Sequence, residues 1–174
     1  MNPSFLLTVL GLVPALVTAV QVRENAPPDL LHVSNSFEFR VHAPQSRVAP
    51  LFGAHRERLW AEGWDPQFVF PRPPADRAGA VFSIHHGGHT STWVTTIFDP
   101  GKGHIQHVYF IPDVMTTLID IQLSQRGTVT RVRVRYERTA LSPESNAVVR
   151  RQGEQDAKSG PEWQQAIARC LAKT

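Results

Sequence analysis

Between Ser36 and His42 the chain alternates strictly, with Phe37, Phe39 and Val41 on one side and Ser36, Glu38, Arg40 and His42 on the other. Period two predicts a half-buried strand, and Ala43-Pro44 ends it. The next apolar positions, Val48, Leu51, Phe52, Leu59 and Trp60, suggest one or two short helices over 48–60. Pro50 and Gly53 speak against one long helix there. Gly63-Trp64-Asp65-Pro66 reads as a turn, 68–70 as a short apolar strand, and 71–77, with three prolines, as a loop.

From Gly79 onward the pattern is that of an antiparallel meander, with strands over 79–86, 89–98, 104–111, 115–125 and 128–139. Gly87-Gly88 and Arg126-Gly127 serve as tight turns, 99–103 as a longer one, and Pro112-Asp113 as a break. Centring the turns sets Phe82 opposite Trp93, Trp93 opposite Tyr109 and Ile97 opposite Ile105. It also sets Ile121 opposite Val132, Ile119 opposite Val134 and Thr117 opposite Tyr136. One face then collects the apolar positions, and Arg131, Arg133 and Arg135 fall on the other. A slip of one residue would bury those arginines, so the choice of face is strongly specified.

The C-terminal part reads as helical. Ser142 is a candidate N-cap with Pro143 in the first turn. Gly153 weakens this helix and Ser159-Gly160-Pro161 breaks or restarts it, after which Trp163, Ile167, Cys170 and Leu171 form an apolar stripe. The element order is β-α-α followed by six strands and a final helix, an α+β protein.

The N-terminus is different in kind. No side chain from Met1 to Val22 is charged, and the apolar run from Phe5 to Val13 is followed by Val17 and Ala19 at the −3 and −1 positions of a signal-peptidase site. Residues 1–19 are expected to be a signal peptide or N-terminal hydrophobic segment, 20–34 a linker, and 35–174 the folded domain. Export after cleavage near Ala19 is the leading expectation. Retention through residues 5–22 in contact with a membrane, or a cytoplasmic location, are the alternatives.

Composition narrows the chemistry. The formal net charge is +3 with no run of basic residues, so no nucleic-acid partner is expected. One cysteine, Cys170, excludes an intramolecular disulfide and a cysteine-based zinc site. No nucleophile elbow, phosphate loop or His-Glu-x-x-His is present. Five histidines (His85, His86, His89, His104 and His107) lie close in sequence, but the register lets only His86 and His89 meet. Zinc takes at least three protein ligands, so no metal and no cofactor is expected.

The residues also resemble the SRPBCC superfamily, the START/Bet v 1-like helix-grip proteins, in the polyketide cyclase/dehydrase and lipid-transport branch. The matching stretches are 37–44, Leu59-Trp60-Ala61-Glu62-Gly63-Trp64-Asp65-Pro66, Gly79-Ala80-Val81-Phe82 with His86-Gly87-Gly88, and Thr92-Trp93-Val94. The ending Thr130-Arg131-Val132-Arg133-Val134-Arg135-Tyr136 into Thr139-Ala140-Leu141-Ser142, then Trp163, completes them. The resemblance spans about 36–173 and departs from the family in its interrupted last helix and its hydrophobic N-terminus. It implies a helix-grip fold, a curved antiparallel sheet wrapped around a C-terminal helix, enclosing an apolar cavity. It implies a hydrophobic small molecule or lipid as partner. Oligomeric state stays open.

The expected ligand pocket is the apolar face of the meander: Phe82, Trp93, Thr95, His107 and Tyr109, with Ile119, Ile121, Val134 and Tyr136. His107, mid-strand on that face, is either a core histidine satisfied by Thr95, Tyr109 or water, or a polar group inside the cavity. His107 and Tyr109 are the only acid–base candidates there, with Tyr136 further off. Trp60 and Trp64 are expected to pack near the entrance or under the short helices, and Asp120 to be a solvated outer residue. The leading reading is a non-enzymatic carrier. A cyclase- or hydratase-like enzyme and a ligand-free interaction module are the alternatives.

Overall fold

The computed structural model describes residues 29–86 and 88–173. The predicted signal segment, most of the predicted linker, the side chain of His86, and Gly87 lie outside the described residues. Seven strands form one antiparallel curved sheet: β1 (His32–Val41), β2 (Gln67–Phe70), β3 (Val81–His86), β4 (His89–Asp99), β5 (His104–Ile111), β6 (Met115–Arg126) and β7 (Val129–Ala140). The order across the sheet is β1-β7-β6-β5-β4-β3-β2, so β2 to β7 run as a meander and β1 closes against its last strand. β1 takes His32 to Ser34 from the stretch expected as linker.

Between β1 and β2 lie α1 (Gln45–Val48) and two 3-10 segments, Ala49–Phe52 and Arg56–Leu59, as the proline and glycine positions require. After β7 a 3-10 turn, Pro143–Ser145, leads into α2 (Asn146–Asp156), and α3 (Gly160–Ala172) follows the break at Ser159-Gly160-Pro161. Among the described residues no helix is long and apolar enough to cross a membrane.

Two registers depart from the centred turns. Arg126 pairs with Val129 and Ile121 with Val134, which sets Ile119 opposite Tyr136 and Thr117 opposite Arg138. The loop is therefore Gly127-Thr128. Gly127 has φ 59° while Thr128 keeps a negative φ, as in a type II′ hairpin with glycine first. The shift is two residues, so every side chain keeps its face and only its partner changes. In β4 a bulge between Thr95 and Ile97 places Ile97 opposite Gln106 and Phe98 opposite Ile105. An extra residue at a bulge breaks the alternation, and Phe98 replaces Ile97 against the core.

The concave face is packed unevenly. At one end Ile167 and Cys170 of α3 join the main core cluster, which includes Val41, Phe52, Ile105, Ile121 and Val132. Phe52, Trp60 and Trp163 pack mutually with centroids 5.1–6.2 Å apart. At the other end α2 lies on β1 and β7 over a smaller cluster, Met115, Ala140 and Val149. Gly153 faces β1. A Cβ there would stand 2.9 Å from Asn35 Nδ2 and 3.0 Å from Val33 Cγ2, so glycine lets the helix settle that close. The helix propensity lost to glycine, ~1 kcal/mol, is the cost.

Gly153→Leu is expected to destabilise by about 1–2 kcal/mol net, overpacking against Val33 outweighing the gain in helix propensity. Urea unfolding with near-UV circular dichroism measures it; an unchanged midpoint would show that α2 has slack above β1.

Candidate functional site

A cavity of about 400 Å³ lies between α2 and the sheet. The sheet contributes Ile84 from β3, Ser91 and Trp93 from β4, and Tyr109 and Ile111 from β5; α2 contributes Gln152. Exposed Glu62, Gly63 and His89 form its rim beside Trp64. The volume is within the range of small-molecule pockets, and the lining is mostly apolar with few polar groups, as such sites require.

Trp93 builds the wall. It stacks between Phe82, at 5.7 Å and 18°, and Tyr109, at 4.3 Å and 26°, while Trp64 meets it edge-on at 5.1 Å. Both indoles are satisfied by the protein: Trp93 Nε1 donates to Ser91 Oγ, and Trp64 Nε1 to the Ala54 carbonyl. Ser91 Oγ in turn donates to the Ile84 carbonyl. These groups therefore present carbon surface rather than open hydrogen-bond valences.

Behind Tyr109 sits Arg138, 5% exposed, on the inward face of β7. It is paired in bidentate fashion with Asp156 of α2, Nε to Oδ2 at 2.6 Å and Nη2 to Oδ1 at 2.8 Å. Its Nη1 donates to Thr117 Oγ1 at 3.0 Å and to the Tyr109 hydroxyl. The guanidinium also lies 4.8 Å from the Tyr136 ring centroid, a cation–π contact. Burial works against the charge, but the hydrogen bond and charge of Asp156, with Tyr109, raise the Arg138 pKa further above its ordinary value. Burial, then Asp156, push the Tyr136 phenol up, so it stays neutral.

Of the residues expected to line a pocket, Trp93 and Tyr109 do so. Phe82, Thr95, His107, Ile119, Ile121, Val134 and Tyr136 are buried and do not border this cavity. His107 is the instructive case. Its Nε2 lies 3.0 Å from the Phe52 carbonyl and its Nδ1 3.2 Å from Thr95 Oγ1. Desolvation lowers its pKa. The carbonyl can only accept, so the neutral ring carries its proton on Nε2 and accepts from Thr95 at Nδ1. Both nitrogens are occupied, and the interior histidine ties β5 to the Ala49–Phe52 turn. Trp60 packs on Phe52 and Trp163, and its Nε1 donates to the Leu51 carbonyl.

Asp120 corrects a further expectation. It does face outward, but it is 7% exposed and accepts hydrogen bonds from His104, Gln106 and Gln122. Desolvation pushes its carboxyl up, but those bonds outweigh it and hold it below the usual range. The same face carries a groove of about 490 Å³ beside Arg40, His42, Arg126 and Arg131. It also carries a cleft of about 180 Å³ beside Asp120, Gln122, Arg133 and Arg135. The cleft is mainly polar, and the groove is edged by the charged heads of Arg40, Arg126 and Arg131. Among the described residues no group of three or more His, Cys, Asp or Glu could hold a metal ion.

Among the polar groups that sequence reasoning misses are Arg138, Asp156, Gln152 and Glu57. Arg138 continues the period-two series Val132, Val134, Tyr136, which marks it as inward. Gln152 and Asp156 share a helix face with Val149 and Gly153 at i, i+3, i+4 and i+7. Glu57 shows no such signal. Its carboxyl is buried with no side-chain hydrogen bond or ion pair among the described residues, and burial with the nearby Asp76 charge raises its pKa to about 8.

No family profile matches the sequence, and no curated protein matches it either. Solved structures do resemble the chain. A truncated norcoclaurine synthase from Thalictrum flavum superposes over 86% of this chain and 99% of its own, with TM-score 0.62 at 12% identity. An uncharacterised protein from Rhizobium leguminosarum covers 83% and 97%, with TM-score 0.59 at 14% identity. A protein from Mesorhizobium loti covers 82% and 98%, with TM-score 0.60 at 17% identity. At these identities the likeness is one of fold: the chain has the Bet v 1-like helix-grip fold.

Two outcomes follow from the buried charges. Asp156→Asn leaves the guanidinium uncompensated and is expected to cost about 3–5 kcal/mol in urea unfolding at neutral pH. Glu57 has a folded pKa above its unfolded value, so its contribution is complete below the unfolded value and is lost as pH rises toward 8. Between pH 6.5 and 8, above the window in which His107 acts in the opposite sense, this amounts to roughly 1.5 kcal/mol. Glu57→Gln is expected to flatten that slope; an identical slope in both proteins would assign it to another group.

Proposed function

We propose that this helix-grip chain binds a hydrophobic small molecule in the cavity between α2 and the sheet. The observation that carries the reading is the cavity itself: about 400 Å³, walled by Trp93, Trp64, Ile84 and Ile111, with an exposed rim. Closing apolar wall against an apolar ligand removes carbon surface from water at roughly 25 cal/mol per Å². The resemblance to families that carry lipids and polyketides supports the same reading. Binding without turnover fits a site whose indoles, serine and interior histidine are all held by the protein. An acid–base role would rest on Tyr109 rather than His107, because Tyr109 borders the cavity and both His107 nitrogens are occupied. Export belongs to the same proposal. The uncharged stretch over 1–22 supports a secreted domain that has lost residues 1–19, which an intact-mass measurement on the secreted chain reads directly.

Native mass spectrometry of the protein from its own host, followed by solvent extraction, is expected to give a reproducible extra mass matched by one hydrophobic species. Ile111→Trp fills the cavity from a partly exposed position and is expected to abolish that mass without loss of fold. An empty wild-type protein that also fails to bind apolar dyes would overturn the reading.

A further inference from the structure

The convex face of the sheet carries charge that the cavity does not use. Arg40 of β1 stands directly opposite Arg131 of β7, Arg131 opposite Ser124 of β6, and Arg126 follows two residues along β6. Like charges opposite each other across a ladder destabilise it. One exposed carboxylate, Glu38, answers this row. Arg131 donates to it from Nε at 3.1 Å and Nη2 at 2.5 Å, and Arg133 stands 3.9 Å away. The hydrogen bond from Arg131, with the charges of Arg131, Arg133 and Arg40, holds the Glu38 carboxyl below its ordinary pKa. Arg40 and Arg126 make no ion pair among the described residues. Two grooves meet here. The one of about 490 Å³ runs beside β6 and β7, and a second of about 270 Å³ lies between the end of β1, α1 and α3. Arg40 and His42 line both, and Arg47, which donates to the Leu171 carbonyl, lines the second. Neither groove has an Asp or Glu in its lining, and Val129, Ala168 and Leu171 set apolar carbon between the charges.

We propose that these two grooves form a docking surface for an acidic peptide segment of a partner protein, one in which carboxylates alternate with apolar side chains. Arg40, Arg131 and Arg126 are spread over three neighbouring strands, roughly 10 Å from first to last. That spread suits several anionic groups carried along a chain better than a single phosphate, and guanidinium forks match carboxylates bidentately. The apolar carbon between the charges suits peptide side chains, which a polyphosphate or an anionic polysaccharide lacks. The grooves flank the β6–β7 hairpin, whereas the cavity opens beside the β3–β4 hairpin at the opposite end of the sheet. A partner held at the arginines leaves the cavity rim uncovered, and a membrane held there would face away from that rim. Docking at this end does not depend on what the cavity holds.

The probe is a rhodamine-labelled octapeptide alternating glutamate and valine, followed by fluorescence anisotropy at about 20 mM salt, where the Debye length is roughly 20 Å. It is expected to bind saturably and to weaken as salt is raised. Arg40→Glu combined with Arg126→Glu is expected to weaken binding about tenfold or more. Arg150→Glu combined with Arg151→Glu, the same change in net charge on exposed positions of α2, is expected to weaken it less than about twofold. Serine in place of valine in the peptide is expected to cost about threefold, the share of the apolar carbon. All four substitutions are at exposed positions, and near-UV circular dichroism checks that both variants fold. No binding by the wild-type protein, or equal losses in the two double variants, would overturn the docking surface. Equal binding of the serine peptide would overturn the apolar part of the match. Phosphatidylglycerol vesicles or duplex DNA that bind more tightly than the peptide, and lose that binding in Arg40→Glu/Arg126→Glu, would overturn the peptide as occupant and reassign the arginines to a membrane or a nucleic acid.

Discussion

The guanidinium of Arg138 is the point at which the helices, the sheet and the cavity depend on one another. It comes from the inward face of β7, takes both oxygens of Asp156 on α2, and reaches Thr117 and Tyr109 on two neighbouring strands. A buried charge is tolerated only when it is paired and hydrogen-bonded in good geometry. Here the conditions for burying Arg138 are also the conditions for docking α2. The Val149 cluster holds the same helix by apolar packing, and Gly153 permits the approach.

The division of the interior into a packed end and an open end follows from the break between α2 and α3. An unbroken helix would cross the whole concave face in one line. With Ser159-Gly160-Pro161 between them, α3 presses Ile167 and Cys170 into the core, and Trp163 joins Phe52 and Trp60 in filling that end. The α2 end is bridged by Met115, Ala140 and Val149 on one side only. On the other side the hairpin of β3 and β4 stands clear of the helix, and the space between is the cavity. Trp93, clamped between Phe82 and Tyr109, makes its wall rigid.

Legibility varied with the length scale of the interaction. Period two in β1 and in the meander identified the inward face correctly, including His107, Tyr109 and Tyr136, because alternation follows from the backbone alone. The Gly127-Thr128 loop was misplaced by one position, since a glycine in a hairpin can occupy either central site. The bulge at Thr96 carries no composition signal, so Ile97 was assigned to the place of Phe98. Which of the inward residues border the cavity is not legible for a related reason. Phe82, Ile119, Ile121 and Val134 have the same alternation as Trp93 and Tyr109, and nothing local distinguishes a wall from a filled core.

The order of elements, the antiparallel meander, the broken C-terminal helix and the outward arginines were determined by the sequence itself, because each arises from backbone geometry or from periodicity within one element. The tertiary structure alone decided which part of the concave face stays open, that His107 is occupied on both nitrogens, and that Tyr109 and Gln152 border one cavity with the Arg138–Asp156 pair behind Tyr109. Those outcomes depend on where α2 and the Ala49–Phe52 turn come to rest against strands far away in sequence, and distances of that kind are not encoded in any single stretch of chain.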